Sequence, residues 1–194
     1  MTASSRIHRA RHPLPIAAVL AFTAALLFPP AAGAEERSCR GSLGDITVDN
    51  LRVPQGARCE LHGTRIQGTL QVQRRATLVA RNIRVIGNVQ GENSRRVAVR
   101  ASRIGGSVQV VQGGSALVRG TTIKQDILYD ENRRRVKAIN NVVNGSIQLF
   151  QNRGGARVVG NNVDGNLQCK ANRPRPTGGG NIVQGNKEDQ CARL

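Results

Sequence analysis

Aromatic residues are nearly absent from this 194-residue chain, which has no Trp, one Tyr and three Phe. From residue 35 onward, only Tyr129, Phe150 and the imidazole of His62 remain. An ordinary globular core of this size buries several aromatic side chains, so this core must be built in another way. Thin layers of Val, Ile and Leu suit a solenoid, in which each coil buries its apolar face against neighbouring coils.

Long apolar runs are also scarce, because residues 16–28 form the only one. This run follows Arg6, Arg9 and Arg11, and Ala32-Gly33-Ala34 after it fits the small-x-small rule for signal cleavage. It is shorter than the roughly 20 residues that span a bilayer. We therefore predict a signal peptide over residues 1–34. The rest, residues 35–194, is predicted to be one soluble domain of a secreted or periplasmic protein.

Acidic residues are few and scattered. Three of the 29 Lys and Arg residues and none of the 12 acids precede residue 35, so the net charge after it is 26 − 12 = +14. β-Helix enzymes that cleave acidic polysaccharides need grouped carboxylates, often with calcium, or a paired acid and base. The nearest approaches to a cluster are Asp130-Glu131 and Glu188-Asp189, and we expect neighbouring basic residues to pair with both. We therefore predict a non-catalytic protein without cofactor or metal, with a polysaccharide-active enzyme as the alternative.

One pattern recurs through most of the chain: an apolar residue, a Gly two places on, then apolar, Gln, apolar. Copies lie at residues 66–72, 85–91, 104–110, 123–129, 143–149, 163–169 and, in decayed form, 183–189. The Gly position holds Gly68, Gly87, Gly106, Gln125, Gly145, Gly165 and Gly185, in steps of 19, 19, 19, 20, 20 and 20 residues. A period this regular indicates stacked repeats.

Each copy contains short segments with the alternation of β-strands, such as Leu70-Gln71-Val72 and Ile147-Gln148-Leu149. With two further alternating segments per copy, the chain is predicted to be an all-β, single-stranded parallel β-helix of about seven coils. A right hand is favoured, because left-handed β-helices usually keep a strict hexapeptide rhythm that is missing here. We expect the Gly column at a corner that needs φ > 0 or a close backbone approach.

Two polar columns follow the same period. Four residues before the Gly column stand Thr64, Ser102, Thr121, Asn141, Asn161 and Asn181, with Ile83 as the exception. We expect these side chains to hydrogen-bond along the helix axis and to satisfy backbone groups of the turns. Three residues after the Gly column stand Gln71, Gln90, Gln109, Gln148 and Gln168, with Leu128 interrupting. This row is interpreted as an amide ladder in preference to a ligand-reading surface.

All four cysteines follow residue 35, which predicts two disulfides in an oxidising compartment. Cys39 and Cys59 are 20 residues apart and Cys169 and Cys191 are 22 apart, about one coil in each case. Adjacent coils stack at roughly 4.8 Å, which a disulfide can bridge. We predict the pairs Cys39–Cys59 and Cys169–Cys191, one at each end. A zinc site is the rival interpretation, but there is no CxxC motif and no His at ligand spacing.

Arginines concentrate in the bend after the first strand of each coil. The candidate binding residues, which we call the arginine stripe, are Arg74, Arg75, Arg95, Arg96, Arg133, Arg134, Arg135, Arg153, Arg173 and Arg175. Four of them share one position relative to the Gly column, interrupted by Gly114. Stacked like charges cost up to roughly 1 kcal/mol per neighbouring pair in water. Two interpretations stay open: a solvated edge that keeps the solenoid soluble, and a surface that binds a repeating polyanion.

The composition also limits the kinds of polyanion that the protein is expected to bind. With almost no aromatics there is no stacking platform for bases, so any nucleic-acid binding is expected to be unspecific and salt-sensitive. For an exported protein, lipopolysaccharide or an acidic polysaccharide is the expected polyanion. A self-assembling envelope protein is the structural alternative. Ice binding is disfavoured, because a flat Thr-x-Thr face on every coil is missing.

The two cysteine-bearing ends have distinctive sequences: the ending Gly165-Asn166-Leu167-Gln168-Cys169-Lys170, then residues 178–181 and 185–191, and the opening at residues 53–63. On these residues the chain resembles a group of small exported bacterial β-helix proteins without an assigned activity. The internal coils also resemble, as a generic pattern, those of bactofilins, which are cytosolic cytoskeletal β-helix polymers. Neither resemblance implies a catalytic residue.

Overall fold

The structure is a computed structural model that describes residues 35–194. The predicted signal peptide lies outside the described residues. Within residues 35–194 every regular element is a β-strand and no helix occurs. The all-β prediction is therefore confirmed.

Twenty-five short strands, numbered along the chain, form three sheets that we call A, B and C. Sheet A contains β1 (Glu36–Ser38), β4 (Asn50–Val53), β7 (Leu70–Val72), β10 (Val89–Glu92), β13 (Val108–Val111), β16 (Ile127–Asp130), β19 (Ile147–Phe150), β22 (Leu167–Lys170) and β25 (Lys187–Asp189). Sheet B contains β2 (Gly41–Leu43), β5 (Arg58–His62), β8 (Thr77–Arg81), β11 (Arg96–Arg100), β14 (Ser115–Arg119), β17 (Val136–Ile139), β20 (Ala156–Val159) and β23 (Thr177–Gly179). Sheet C contains β3 (Thr47–Val48), β6 (Arg65–Ile66), β9 (Arg84–Val85), β12 (Arg103–Ile104), β15 (Thr122–Ile123), β18 (Val142–Val143), β21 (Asn162–Val163) and β24 (Ile182–Val183).

Each turn of the chain adds one strand to sheet A, one to sheet B and one to sheet C, and all pairings are parallel. Leu51 pairs with Leu70, 19 residues on, whereas Ile127 pairs with Ile147, 20 residues on. The sheets hold nine, eight and eight strands, which makes about eight turns. The predicted parallel β-helix is confirmed. The prediction of about seven coils agrees with this count, and the turns that begin at β1 and β4 precede the first copy of the repeat pattern.

The core is a column of thin apolar layers. In β7 the outer residues Leu70 and Val72 are buried and Gln71 between them is exposed, as strand alternation requires. Tyr129 is the one large aromatic in the described core; it is fully buried, and its hydroxyl donates to the Lys137 carbonyl at 3.1 Å. Burial raises the pKa of Tyr129. Apolar stacking by Val, Ile and Leu thus replaces the aromatic packing of a conventional core.

The first predicted polar column forms a buried ladder at the corner between sheets B and C. The backbone N–H of Asn141 donates to Asn161 Oδ1 at 3.0 Å, and that of Asn161 donates to Asn181 Oδ1 at 3.0 Å. Ser102 and Thr121 continue the ladder towards the N-terminus through their hydroxyl oxygens. All of these side chains are buried. The expectation that they satisfy backbone groups along the axis is confirmed.

A second asparagine ladder, at the corner between sheets A and B, was not expected from the sequence. Asn152 Oδ1 accepts from the backbone N–H of Asn132 at 3.1 Å and from its Nδ2 at 3.0 Å. Asn152 Nδ2 in turn donates to Asn172 Oδ1 and to the Tyr129 carbonyl, both at 2.9 Å. Gln190 closes the C-terminal end by accepting from the Asn172 backbone N–H at 2.8 Å.

The Gly column lies at the corner between sheets C and A, and the reason for Gly there is close approach. None of its glycines has a positive φ, so of the two predicted alternatives close approach is the one that applies. A β-carbon on Gly87 would lie 2.7 Å from the Gly68 carbonyl oxygen, and one on Gly165 would lie 2.8 Å from the Gly145 carbonyl. The backbone N–H of each coil donates across this contact, as Gly87 does to Gly68 at 2.9 Å.

Both predicted disulfides are present. Cys39–Cys59 joins the first two turns with a Cα–Cα distance of 5.7 Å, and Cys169–Cys191 joins the last two with a Cα–Cα distance of 5.2 Å. No free cysteine occurs in the part of the chain that the structure describes. Terminal coils have a neighbour on one side only, so a covalent link there restrains the coils that would fray first.

Loss of a terminal disulfide is expected to loosen its end of the solenoid. Replacing Cys169 and Cys191 by Ala should lower the free energy of unfolding by about 2–4 kcal/mol, because the link closes a loop of about twenty residues. Urea unfolding of the non-reduced proteins measures this difference. Mass mapping of the non-reduced parent should find both pairs, and a peptide joining Cys59 to Cys169 would contradict the stacking order.

The asparagine ladder at the A–B corner is expected to be a major source of stability. Replacing Asn152 by Ala removes the acceptor for two donors of Asn132 and should cost about 2–4 kcal/mol, since buried donors are left without partners. Asn144 is exposed in the bend after β18 and is the matched control. Its replacement by Ala should change the free energy of unfolding in urea by no more than about 0.5 kcal/mol. Equal effects of the two substitutions would contradict this role.

Candidate functional site

The arginine stripe lies along the corner between sheets A and B. The backbone N–H of Arg173 donates to the Asn152 carbonyl at 2.8 Å, and that of Arg153 donates to the Asn132 carbonyl at 2.9 Å. These bonds place Arg133, Arg153 and Arg173 on three successive coils. All three side chains are exposed, and each follows directly after a residue of the buried asparagine ladder. The ladder therefore fixes where each arginine leaves the corner.

Gly114 divides the stripe into two groups. Its backbone N–H donates to the Ser94 carbonyl at 2.7 Å, which aligns it with Arg95 on the preceding coil. Arg74, Arg75, Arg95 and Arg96 lie on the N-terminal side of this gap, and the other six stripe arginines lie on the C-terminal side. Every stripe arginine is exposed.

The corner itself becomes longer in the C-terminal group. Val111 and Ala116 pair with Asp130 and Val136 of the next coil, so the link between sheets A and B grows by one residue. This added residue accounts for the change of period from 19 to 20. It falls within the run Arg133-Arg134-Arg135, where three consecutive side chains are exposed.

Acidic residues do not neutralise the stripe. Among residues 35–194 only two ion pairs form, Arg52–Glu36 at 3.1 Å and Arg58–Glu60, and neither includes a stripe arginine. The expected pairing of Glu188 with basic neighbours is wrong, because its carboxylate accepts from the amides of Gln168 and Asn166 at 2.9 and 3.1 Å.

The other acidic pair, Asp130-Glu131, also lacks the expected basic partner. Asp130 pairs across sheet A with Val111 and Phe150, so apolar neighbours lie on both sides of it. Burial raises the pKa of the Asp130 carboxyl, and the adjacent Glu131 raises it further. Glu131 accepts from the Gln112 side chain at 3.0 Å. Neither of these two carboxylates lies within 4.0 Å of an arginine nitrogen in the described residues.

The structure brings together a second basic surface that the sequence analysis missed. On sheet B, Arg81 pairs with Arg100, which pairs with Arg119, and His62 precedes them. On sheet C, Arg65 pairs with Arg84, which pairs with Arg103. We call these two columns the B ladder (Arg81, Arg100, Arg119) and the C ladder (Arg65, Arg84, Arg103). The B ladder lies just before the corner between the two sheets and the C ladder just after it.

The electrostatics of the B ladder reflect this stacking. Burial lowers the pKa of the Arg100 guanidinium, and the like charges of Arg81, Arg96 and Arg119 lower it further. Ala98, which lies on the same outward face of β11, is completely buried, so neighbouring side chains cover it. Arginine stems cover apolar surface in this way while their charged ends stay in water.

A groove of about 510 Å³ lies beside the C ladder at this corner. Its floor includes Gly63, Asn82, Ala101 and Gly120, one from each of four successive coils, with φ of 71°, 55°, 47° and 58°. The left-handed conformation turns the chain sharply from sheet B to sheet C. Ala101 carries a β-carbon in this conformation, which costs roughly 1–2 kcal/mol. All three arginines of the C ladder line the groove.

The signal for these ladders is present in the sequence. Arg81, Arg100 and Arg119 are spaced by 19 residues, as are Arg65, Arg84 and Arg103. They are isolated arginines, so a search for clustered charge passes over them. Both columns are visible when the 19-residue period is applied to every arginine and not only to the consecutive arginines.

The glutamine column is a ladder only in part. Gln148 Nε2 donates to Gln168 Oε1 at 3.0 Å, and Gln168 continues to Glu188 at 2.9 Å. On the other side of Leu128, Gln71 and Gln90 instead line an open groove of about 500 Å³. The amide-ladder interpretation is therefore confirmed only for the C-terminal coils.

No protein-family model matches the chain, and no curated protein or solved structure matches it significantly. Within residues 35–194, no three His, Cys, Asp or Glu side chains are grouped so as to hold a metal ion. The described residues also contain no helix long and apolar enough to cross a membrane. The candidate site is thus defined by the arginines, which are the chemically distinctive side chains of the described surface.

The stacked arginines are expected to make stability depend on salt. Raising NaCl from about 0.02 M to about 0.5 M should raise the urea midpoint, because ions screen repulsion between neighbouring guanidiniums. Replacing Arg81, Arg100 and Arg119 by Gln should reduce this gain. Replacing the exposed Arg37, Arg40 and Arg193, which are remote from both ladders in sequence, removes the same charge and serves as the control. A salt response that is equal in both variants would contradict repulsion within the ladder.

Proposed function

We propose that the protein is an exported, non-catalytic β-solenoid that binds anionic polymers through its arginine stripe. The observation that carries the proposal is the row of exposed guanidiniums on successive coils, none of which has a carboxylate within 4.0 Å in the described residues. Their mutual repulsion opposes folding, whereas a bound polyanion replaces it with attraction. Arginine suits this role, since its planar group binds carboxylate, sulfate or phosphate with two parallel hydrogen bonds.

The ligand class follows from charge and location. The two disulfides are typical of an oxidising, non-cytoplasmic compartment, and export by the predicted signal peptide would place the chain in the periplasm or outside the cell. Lipopolysaccharide and acidic polysaccharides are the repeating polyanions of that environment. Nucleic acid is a weaker candidate, because Tyr129 is buried and Phe150 is half-buried, which leaves little surface for base stacking.

Self-assembly of an envelope protein is the second candidate, and the sheet edges argue against end-to-end assembly. The edge strand β1 exposes Glu36 and Arg37, and β25 at the opposite end carries Lys187, Glu188 and Asp189. Charged side chains on short edge strands oppose pairing with another chain. The C-terminal turn at residues 190–194 and the disulfides further occupy the ends.

Removal of the stripe charges is expected to abolish most polyanion binding. The test replaces Arg95, Arg133, Arg153 and Arg173 together by Gln and measures affinity for lipopolysaccharide and for heparin, a model acidic polysaccharide, across a salt series. Binding by the parent should weaken steeply with salt, because each contact releases counterions. The variant should bind at least about tenfold more weakly and show a shallower salt slope. Its urea midpoint should stay near that of the parent, since surface changes rarely cost more than about 0.5 kcal/mol each.

A matched variant separates the stripe from net charge. Replacing Arg37, Arg40, Lys187 and Arg193 by Gln removes the same formal charge at the two ends of the solenoid. Binding close to that of the parent is expected for this control. If the stripe variant binds as tightly as the control, the stripe is only a solubilising edge and the proposed function is wrong.

A further inference from the structure

The B and C ladders form a surface that the proposed function leaves unused. They lie at the B–C corner, whereas the stripe lies at the A–B corner, so the two sets of arginines belong to different edges of the solenoid. The strand pairing sets the spacing within each ladder at about 4.8 Å, the distance between neighbouring strands. Two rows of cations thus run parallel to the solenoid axis on either side of one corner.

We propose that the groove beside the C ladder is a separate binding site for a linear acidic polysaccharide that lies along the solenoid axis. The site includes the C-ladder arginines and the groove floor, with Asn82 and Thr122 as polar contacts, and the B ladder flanks it on the other side of the corner. The proposal does not depend on the arginine stripe.

A polymer fits this surface better than a small anion. Three successive coils each contribute one arginine of the C ladder to the groove, and the B ladder adds Arg81 and Arg100 on the sheet B side of the same corner. The groove spans four coils along the axis, with Gly63 and Gly120, which carry no side chain, on the first and last of its corner positions. A chain with an acidic group at regular intervals meets a new pair of cations on each coil.

The chemistry of the groove favours a glycan over a membrane or a nucleic acid. Its floor is made of small and polar residues, and the exposed amide of Asn82 and hydroxyl of Thr122 suit the hydroxyl groups of sugars. No aromatic side chain lines it, so bases have no stacking partner. The large exposed apolar side chains, Ile86, Val142 and Ile182, lie outside the groove on different coils, in strands of sheet C or directly after one, and make no continuous patch for a lipid surface.

The charge of the groove is also nearly unopposed. Asp45 is the one carboxylate among its lining residues, and it lies at the first coil, beside Gly63. Glu60, near the start of the B ladder, is already paired with Arg58, and this guanidinium lowers its pKa. The three central coils therefore present guanidiniums without an acidic neighbour within 4.0 Å in the described residues.

Two asparagines at equivalent corners provide a matched test. Asn82 lies in the groove between Arg81 and Arg84, and Asn140 occupies the same corner position three coils later, between Ile139 and Val142. Both are exposed and left-handed, with φ of 55° and 52°. Replacement by Asp keeps the size and tolerates this conformation. Asn82→Asp and Asn140→Asp therefore change the net charge equally and differ in what surrounds the new carboxylate.

The measurement is the affinity of the mature protein for size-defined heparin and polygalacturonate oligosaccharides at low salt. Asn82→Asp should weaken binding by about tenfold, because the new charge repels the ligand and pairs with the arginines. Asn140→Asp should change it by less than about twofold. Affinity should also rise with oligosaccharide length until the chain covers both ladders. Equal effects of the two substitutions, or no dependence on length, would overturn the proposal.

Neutralised ladders separate this site from the stripe. The variants Arg84→Gln/Arg100→Gln/Arg103→Gln and Arg133→Gln/Arg153→Gln/Arg173→Gln remove equal charge from the two corners. Loss of glycan binding in the ladder variant supports the groove, whether or not the stripe variant also loses it. Loss in the stripe variant alone overturns the groove and leaves the proposed function standing. If neither variant loses glycan binding, both the groove proposal and the proposed function are wrong. A ladder variant that loses only binding to lipopolysaccharide vesicles or duplex DNA also overturns the glycan assignment.

Discussion

Stacking at the strand spacing is the constraint on which this structure depends, because it makes every position of a coil the neighbour of its own equivalents. A residue in a buried column must therefore pack against a copy of itself about 4.8 Å away on each neighbouring coil. Apolar residues do this by packing, and asparagine does it because one amide donates and accepts at once, as Asn152 does between Asn132 and Asn172. Where the backbone approaches too closely for a side chain, as at Gly87 and Gly165, the column is glycine.

On the surface, the same stacking is destabilising wherever the repeated residue is charged. An arginine repeated at the period of the coil is placed beside its own copy, as in the B ladder, where like charges lower the pKa of Arg100. Water and salt reduce this repulsion but do not remove it. In the arginine stripe, the buried asparagine ladder at the A–B corner holds the backbone in place despite this repulsion. The asparagine that precedes Arg153 or Arg173 is buried and fully hydrogen-bonded, so the backbone beneath each charge is fixed.

The sequence predicted those features that a period alone determines: the parallel β-helix, both disulfides and the polar column that ends at Asn181. Features that depend on shape at the corners were left open or missed. For the Gly column, which includes Gly68 and Gly106, the sequence predicted either a positive φ or a close backbone approach, and only close approach applies. The sequence could not separate the two, because the backbone dihedral angles depend on how the three sheets meet. The B and C ladders are columns that the period contains, but their closeness across a corner is a property of the folded turn.

Rigidity links this architecture to binding. A polymer that binds to flexible loops requires both partners to lose conformational freedom, whereas a ladder of guanidiniums on paired strands has lost its backbone freedom on folding. The spacing of the charges is then a fixed property of the solenoid, and it favours a ligand whose own charges repeat along a line. Each edge can act independently, since the stripe and the B and C ladders occupy different corners. One polymer long enough to reach both edges would bind more tightly than either edge alone allows, because the second contact is then intramolecular.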